Sequence, residues 1–222
     1  MKPLSHKFSN IFSDSKNNIF TKSISKEQSF FDEKVVREGN DFFREWDPNR
    51  SKIAAALKKG LSQLGIKEGQ NVLYLGAAHG YTPSFVSDIV GQNGFVFGVE
   101  FSPEVARDLV FLSEKRTNIA PIVADANHPE EYKDRVLNID VIFQDISQKN
   151  QVEIFLKNCD YFLKEGCFGL LAIKARSIDV SKKPKILFKE VREKLEKHIT
   201  IVDYRELDPF EKDHAFFVCK KR

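Results

Sequence analysis

NVLYLGAAHGYTPSFVSDIVGQNGFVFGVE, residues 71–100, joins two apolar runs through a glycine-containing turn and a helical pattern. The first run, Val72–Leu75, leads into the turn Gly76-Ala77-Ala78-His79-Gly80, and the second, Phe95–Val99, ends on Glu100. Strand, tight turn, helix and strand in this order are typical of a nucleotide-type ligand site on an open parallel sheet. The stretch therefore predicts an α/β fold with a ligand near Glu100.

The turn narrows the choice of ligand. It reads G-x-x-x-G from Gly76 to Gly80 and lacks the G-x-G-x-x-G pattern of dinucleotide sites. S-adenosylmethionine has no pyrophosphate, and it needs close backbone contact for its methionine part and an acid for its ribose. Glu100 is placed to accept hydrogen bonds from two ribose hydroxyls. The alternative is that Gly76 and Gly80 only make a tight turn between strand and helix.

Composition limits the class of protein. The 222 residues, 41% of them apolar, suffice for one well-buried domain with a small appendage. No apolar run approaches the roughly 20 residues of a membrane span, and the first residues lack the apolar core of a secretory signal. The three cysteines are odd in number and form no C-x-x-C pair. We therefore expect no metal, no disulfide, no membrane partner and a cytoplasmic location.

Charge is unevenly distributed along the chain, although the net charge is only +3. Residues 1–60 hold 12 Lys and Arg against 8 Asp and Glu, and residues 174–222 hold 14 against 9. The centre, residues 61–173, holds 9 against 15. Basic ends that meet in space would form a surface for a polyanion, but an ordinary solvated surface explains the counts equally well.

Two regions are predicted. Residues 1–45 are polar, with strand-like runs at Asn18–Ile24 and Glu33–Arg37, and we interpret them as a small N-terminal β-rich appendage. The second region, residues 46–222, opens with Asp47 as helix N-cap and Pro48 at the first helical position. Apolar spacing then predicts a helix over Asn49–Leu64.

Strands and helices alternate after Asn71, which predicts a three-layer α/β sandwich around a mostly parallel, seven-stranded sheet. The last two strands are separated by a gap too short for a right-handed crossover, so they should form an antiparallel hairpin. Helices should begin near Pro83, Pro103, Gln151 and Pro184, and a basic loop should follow Lys174. The predicted strands are Val72–Leu75, Phe95–Val99, Ala120–Val123, Val141–Gln144, Phe168–Ile173, Ile201–Glu206 and Ala215–Cys219.

Charged residues follow four predicted strands at their carboxyl ends, where such sheets bind ligands. They are Glu100, Asp125, Asp145 and Lys174. A single acid at a strand end is often only a helix cap, but four charged strand ends predict a functional site. The sequence predicts that the side chains of Asp145 and Lys174, on successive strands, converge.

Lys52, in the helix before the first central strand, is a third candidate. Two lysines with a carboxylate can orient a hydroxyl, stabilise its developing alkoxide and accept its proton. This chemistry suits methyl transfer to a poorly acidic alcohol such as a ribose 2′-hydroxyl. A solvated helix face is the alternative interpretation of Lys52.

Eight motifs, in this order and spacing, resemble the fibrillarin family, the 2′-O-ribose methyltransferases of box C/D ribonucleoproteins. The similarity runs from about Trp46 to the C-terminus, and the chain resembles the archaeal members, which lack a long Gly/Arg-rich tail. The motifs are WDPNRSK at Trp46–Lys52, LGAAHGYTPSFVSDIVG at Leu75–Gly91, VEFS at Val99–Ser102, KRTNIAPI at Lys115–Ile122, ADANHP at Ala124–Pro129, DVIFQDISQ at Asp140–Gln148, IKA at Ile173–Ala175 and DHAFFV at Asp213–Val218.

The resemblance implies a class I methyltransferase fold with S-adenosylmethionine as cofactor. It assigns catalysis to Lys52, Asp145 and Lys174, with Glu206 and His214 as candidates for a fourth member. The chain departs from the family pattern at His79, where serine is usual, and at Tyr81, where threonine is usual. The implied cofactor-binding residues are Gly76, Ala77, Ala78, Tyr81, Thr82, Glu100, Phe101, Asp125, Ala126, Asp145, Ile146, Ser147 and Gln148.

The resemblance further implies guide-RNA-directed 2′-O-methylation of ribosomal RNA, and of transfer RNA as a further target. The implied partners are a box C/D guide RNA, the target RNA, a Nop-type scaffold protein and a kink-turn-binding ribosomal-type protein. Two alternatives stay open. One is a methyltransferase for a protein or small molecule, and the other is an RNA-binding subunit without activity.

Overall fold

The N-terminal strands form a five-stranded antiparallel sheet in the computed structural model, which describes residues 1–25 and 29–222. The strand-like runs predicted at Asn18–Ile24 and Glu33–Arg37 correspond to the third strand, Ile19–Lys22, and the fourth strand, Val35–Glu38. The order across the sheet is β1-β2-β3-β5-β4. The strands are β1 (Lys2–Pro3), β2 (Ile11–Ser13), β3 (Ile19–Lys22), β4 (Val35–Glu38) and β5 (Asp41–Glu45).

The helix predicted over Asn49–Leu64 is shorter in the structure, where α1 is Lys52–Lys58. Asp47 is not its N-cap, because the Asp47 carboxylate accepts the N–H of Asn49 at 2.8 Å and so closes a turn ahead of the helix. Ser51 takes the N-cap position instead. At the other end, Gly60 has a left-handed φ of +78°, which ends the helix after Lys59.

The seven-stranded sheet confirms the predicted fold class. Its order is β11-β12-β10-β9-β6-β7-β8, in which the five strands from β10 to β8 are parallel and the final hairpin is antiparallel. Each predicted strand lies within one residue of an observed strand. The strands are β6 (Asn71–Leu75), β7 (Phe95–Glu100), β8 (Ile119–Val123), β9 (Val141–Gln144), β10 (Phe168–Lys174), β11 (Thr200–Glu206) and β12 (His214–Lys220).

The helices begin near their predicted positions. Ser102 caps α3, since its hydroxyl accepts the Val105 N–H at 3.4 Å. Two short α-helices were not predicted: one covers Pro129–Tyr132 and continues into a 3₁₀ helix at Lys133–Arg135, and one covers Ala175–Ile178 inside the segment predicted as a basic loop. The helices are α2 (Tyr81–Val90), α3 (Pro103–Lys115), α4 (Pro129–Tyr132), α5 (Gln151–Phe162), α6 (Ala175–Ile178) and α7 (Pro184–Leu195).

Helices cover both faces of the large sheet. Alternate residues of β6 point to opposite faces, so Val72 and Tyr74 join the core under α1, α2 and α3, whereas Leu73 and Leu75 join the core under α5 and α7. Ile11 and Ile19 of the N-terminal sheet belong to the first core. The two predicted regions, residues 1–45 and 46–222, therefore share one apolar core. Their division into two domains stays a prediction.

A buried ionic network links the N-terminal sheet to α2. Asp88 accepts Arg44 Nη1 at 2.8 Å and Arg116 Nη1 at 2.7 Å, and Arg44 Nε bonds Glu33 at 2.7 Å. Both arginine side chains and that of Asp88 are fully buried. Burial alone would raise the pKa of Glu33, but Arg44 and the N–H groups of Phe31 and Phe30 lower the pKa to about 2.

Candidate active site

The turn after β6 brings the backbone of two loops into contact. Gly76 has a φ of +82°, and a Cβ added there would lie 2.3 Å from the carbonyl oxygen of Asp145. Gly80, at φ +92°, precedes α2. Glycine is therefore required at position 76 both by conformation and by space.

Glu100, at the end of β7, is held by backbone donors. Its Oε2 accepts the N–H of Ala78 at 2.9 Å, and its Oε1 accepts the N–H of Ser102 at 3.0 Å. A carboxylate has about four acceptor positions, so two backbone donors leave capacity for ligand hydroxyls. The turn and the strand end therefore present an oriented acceptor to the cavity between them.

A cavity of about 230 Å³ opens at the carboxyl ends of β6 to β9. Phe101 at its rim is 67% exposed, which leaves a planar apolar face free for a ligand base. A larger cavity of about 590 Å³ lies in the N-terminal sheet, away from the strand ends. The smaller one is lined by Gly76, Ala78, Val99, Glu100, Phe101, Ala124, Asp125, Ala126, Asp145, Ile146, Ser147 and Gln148.

Three predicted cofactor residues do not line this cavity. Ala77 is buried, and Thr82 is buried with its hydroxyl donating to Ser51 Oγ at 3.1 Å. Tyr81 points away from the cavity, because its ring packs under the guanidinium of Arg50 at 4.1 Å. The structure thus separates Tyr81 from the rest of the predicted set.

Asp125, which lines the cavity, belongs to a hydrogen-bond network with Asn127 and Gln148. Its Oδ1 accepts the backbone and side-chain N–H groups of Asn127, at 2.9 and 2.8 Å. Burial alone would raise the pKa of Asp125, but these two hydrogen bonds lower the pKa below its usual value. Asn127 also reaches Gln148 Oε1 at 3.2 Å, so the loops after β8 and β9 are connected.

Lys52 lies between two carboxylates. Its Nζ is 3.2 Å from Asp145 Oδ2 and 3.8 Å from Glu211 Oε1. Burial alone would lower the pKa of Lys52, but Asp145 and Glu211 outweigh it and raise the pKa. Burial raises the pKa of Glu211, although Lys52 and His214 oppose the shift. Lys52 is therefore a fixed cation at neutral pH.

Lys174 ends β10 and pairs across the sheet with His214 at the start of β12. It is exposed, and within residues 1–25 and 29–222 no ion pair joins it to Asp145. His214 Nδ1 bonds the carbonyl oxygen of Lys212 at 2.7 Å and lies 3.9 Å from Glu211 Oε2. Glu206 accepts the Tyr204 hydroxyl at 3.3 Å, and among residues 1–25 and 29–222 no ion pair joins it to Lys52.

Glu211 is a site residue that the sequence analysis missed. It belongs to the loop between β11 and β12, which returns to the carboxyl edge of the sheet because β11 runs parallel to β10. The available signal was the charged run Glu211-Lys212-Asp213-His214 in the predicted hairpin turn. Of the two candidates for a fourth member, the structure brings His214, and not Glu206, next to this cluster.

In the parts of the chain that the structure describes, no cluster of three or more His, Cys, Asp or Glu residues has the arrangement of a metal site. No helix among residues 1–25 and 29–222 has both the length and the apolar character that crossing a bilayer requires.

Comparison with known proteins identifies the family. The sequence model of the family described as Fibrillarin matches residues 4–222. The chain belongs to the fibrillarin family. A "Fibrillarin-like rRNA/tRNA 2′-O-methyltransferase" of Methanocaldococcus jannaschii is 48% identical over 216 residues, covering 95% of this chain and 94% of that protein.

Two solved fibrillarin structures are also similar. Fibrillarin of Aeropyrum pernix, in complex with natively bound S-adenosyl-L-methionine, superposes with a TM-score of 0.88 at 39% identity and covers 98% of this chain and 96% of its own. A fibrillarin/Nop5p complex contains a chain that matches with a TM-score of 0.87 at 39% identity, covering 97% of this chain and 99% of its own. These matches establish the class I methyltransferase fold of this chain.

Proposed function

We propose that this protein transfers a methyl group from S-adenosylmethionine to ribose 2′-oxygens of ribosomal and transfer RNA. The single observation that carries the proposal is the Lys52–Asp145 pair, 3.2 Å apart, at the edge of a cavity that Glu100 bounds on the other side. The cavity thus lies between Glu100, which can accept hydrogen bonds from the cofactor ribose, and the charged Lys52–Asp145 pair. The name of the Methanocaldococcus jannaschii relative gives the same substrate class for that protein.

The residues around the cavity fit S-adenosylmethionine. Glu100 would accept the ribose hydroxyls, Phe101 would cover the adenine, and Asp125 with Ala126 would contact its edge. Gly76 and Ala78 would meet the methionine part through the backbone, and the residues from Asp145 to Gln148 would line the methyl side. The bound cofactor supplies an electrophilic methyl group. We also propose that the buried residues Ala77 and Thr82 support the turn from the protein interior and do not contact the cofactor. Tyr81 is excluded from the cofactor-binding residues, because its ring packs under Arg50.

The cluster beside the cavity would prepare the hydroxyl. Lys174 and Asp145 would orient it and take up its proton, and Lys52 would stabilise the negative charge that develops on the oxygen. The raised pKa of Lys52 suits a permanent cation better than a base. Glu211, with His214 beside it, would hold Lys52 from the other side. Positioning the hydroxyl in line with the methyl group would supply most of the rate.

The proposed assembly is a box C/D ribonucleoprotein, in which a guide RNA selects the target nucleotide. A Nop-type scaffold protein would dock the enzyme and a kink-turn-binding protein would complete the particle. The solved fibrillarin/Nop5p complex supports a scaffold of this type. A cytoplasmic location is part of the proposal, and the three free cysteines are compatible with it.

The test is methyl transfer from labelled S-adenosylmethionine in the reconstituted particle. One reaction contains a target RNA and the other contains the same RNA with a 2′-deoxy nucleotide at the guided position. Label in the first RNA alone supports the proposal. Label in the protein fraction, or no label despite measurable cofactor binding, would indicate another substrate class or an inactive subunit.

A further inference from the structure

Gln151, the first residue of α5, is a fully buried polar side chain with no role in the chemistry described above. Its amide contacts the backbone of two functional segments. Gln151 Nε2 donates to the carbonyl oxygen of Gln148 at 2.8 Å, and Gln151 Oε1 accepts the N–H of Lys174 at 3.3 Å. Gln151 Nε2 also lies 3.5 Å from the carbonyl oxygen of Lys174. One amide therefore bonds both peptide groups of Lys174 and the end of the cavity loop.

A second buried amide completes the connection. Gln144 is the last residue of β9 and directly precedes Asp145, and its Nε2 donates to the carbonyl oxygen of Gln151 at 2.6 Å. Both glutamine side chains are fully buried. Three segments thus meet at Gln151: the strand end before Asp145, the cavity loop through Gln148, and the end of β10 at Lys174.

Direct contact does not set the spacing of the two catalytic candidates, since the carboxylate of Asp145 pairs with Lys52 and no ion pair joins it to Lys174 among residues 1–25 and 29–222. Lys174 lies beyond the last register pair of β9 and β10, which is Gln144 with Leu171. The ladder between these two strands therefore ends before it reaches Lys174, and Gln151 occupies the place of the missing bonds.

We propose that Gln151 is a positioning residue, which holds the backbone of Lys174 at a fixed distance from Asp145 and from the cavity loop. The inference rests on the proposed function for its effect on turnover, but its effect on the Lys174 backbone does not. A buried amide that fixes backbone acts through rigidity, and a displacement of about 1 Å at a reacting group can cost about a hundredfold in rate.

The test substitutes Gln151→Met, which keeps the side-chain length and removes the hydrogen bonds of the side-chain amide to Gln148 and Lys174. The matched control is Asn118→Ala. Asn118 is also a buried amide that donates to two carbonyl oxygens, those of Ser87 and Gly91 at 3.0 and 2.9 Å, but it lies just before β8 at the opposite edge of the sheet. Both variants lose buried hydrogen bonds and should lower the Tm.

In the reconstituted particle, with both substrates saturating, Gln151→Met should lower kcat about tenfold or more and change the Kd for S-adenosylmethionine by less than about threefold. Asn118→Ala should keep kcat within about twofold. Without RNA, hydrogen exchange of the Lys174 amide should be about tenfold faster in Gln151→Met and unchanged in Asn118→Ala. If Gln151→Met does not fold, Gln151→Asn replaces it, because its amide is one methylene shorter and cannot reach the Lys174 N–H; the same fall in kcat and the same faster exchange of the Lys174 amide are expected.

Unchanged exchange of the Lys174 amide would overturn the inference, and so would a kcat loss that the control variant shares. Failure of the wild-type particle to methylate RNA would instead contradict the proposed function. The exchange measurement would still decide the role of Gln151 in that case.

Discussion

Substituting Gly76→Ala tests whether the contact between the turn after β6 and the Asp145 backbone shapes the site. Two effects are expected. At φ +82° an alanine is strained by about 1–2 kcal/mol. In addition, its Cβ would lie 2.3 Å from the Asp145 carbonyl oxygen, so one of the two loops must move by about 1 Å to reach ordinary contact.

Gly69→Ala separates these effects. Gly69 has nearly the same φ, +81°, but a Cβ there meets no atom within 4 Å. The strain should therefore lower the free energy of unfolding of both variants by about 1–2 kcal/mol, which corresponds to a Tm lower by roughly 2–8 °C for a chain of this size. Only Gly76→Ala should also displace Asp145, with a loss of about a hundredfold in kcat/KM.

The assays are thermal unfolding, calorimetric binding of S-adenosylmethionine, and methyl transfer by the reconstituted particle. Gly69→Ala is expected to bind cofactor and to turn over as the wild type does. Gly76→Ala is expected to lose about tenfold or more in cofactor affinity, since the displaced residues line the cavity. Equal cofactor affinity and equal turnover in the two variants would refute the claim that the turn positions Asp145.

Three further predictions concern charge. Lys52→Ala should lower the single-turnover rate constant by about 10²–10³ while cofactor still binds, whereas Lys59→Ala, exposed just beyond the end of α1, should not; equal activity would remove Lys52 from the site. Asp88→Asn leaves two buried arginines without their carboxylate and should cost about 3–5 kcal/mol in urea unfolding. By contrast, Asp108→Asn, which breaks an exposed pair with His79, should cost less than about 1 kcal/mol. Because the folded-state pKa of Glu33 is lowered to about 2, its contribution of about 3 kcal/mol is present above pH 4.5 and is lost as the pH falls towards 2. Glu33→Gln should flatten the dependence of unfolding free energy on pH in that window, and an unchanged slope would contradict the pairing with Arg44.

The central sheet and its ligand edge follow closely from sequence pattern. Buried parallel strands appear as short apolar runs, and the residue after each run lies at the carboxyl edge, so Glu100, Asp125 and Asp145 were predicted to lie at one cavity. The cap of α3 is also local, because the Ser102 hydroxyl accepts the N–H of Val105 three residues ahead. These features depend on a few neighbouring residues, which is why the sequence alone shows them.

Features that depend on distant contacts, or on competition between two local structures, were not predicted. Asp47 is the local case: it has the chemistry of an N-cap, but its carboxylate accepts the N–H of Asn49 two residues ahead and closes a turn instead. Tyr81 lies in the cofactor motif, yet Arg50 packs over its ring and the side chain leaves the cavity. Glu211 contacts Lys52 only because the loop between β11 and β12 lies at the carboxyl edge of the sheet. For Tyr81 and Glu211 a partner distant in sequence decides where the side chain lies.

In the proposed function, Asp145 at the cavity edge takes part in methylating the ribose that the guide RNA selects. The most direct measurement is the position of the new methyl group, mapped by mass spectrometry of the target RNA after reaction with wild type and with Asp145→Ala. We predict methyl on the 2′-oxygen of the guided nucleotide with wild type, and none with Asp145→Ala although that variant still binds S-adenosylmethionine detectably. Methyl on a base would rule out ribose methylation, and undiminished ribose methylation by Asp145→Ala would rule out the proposed role of Asp145.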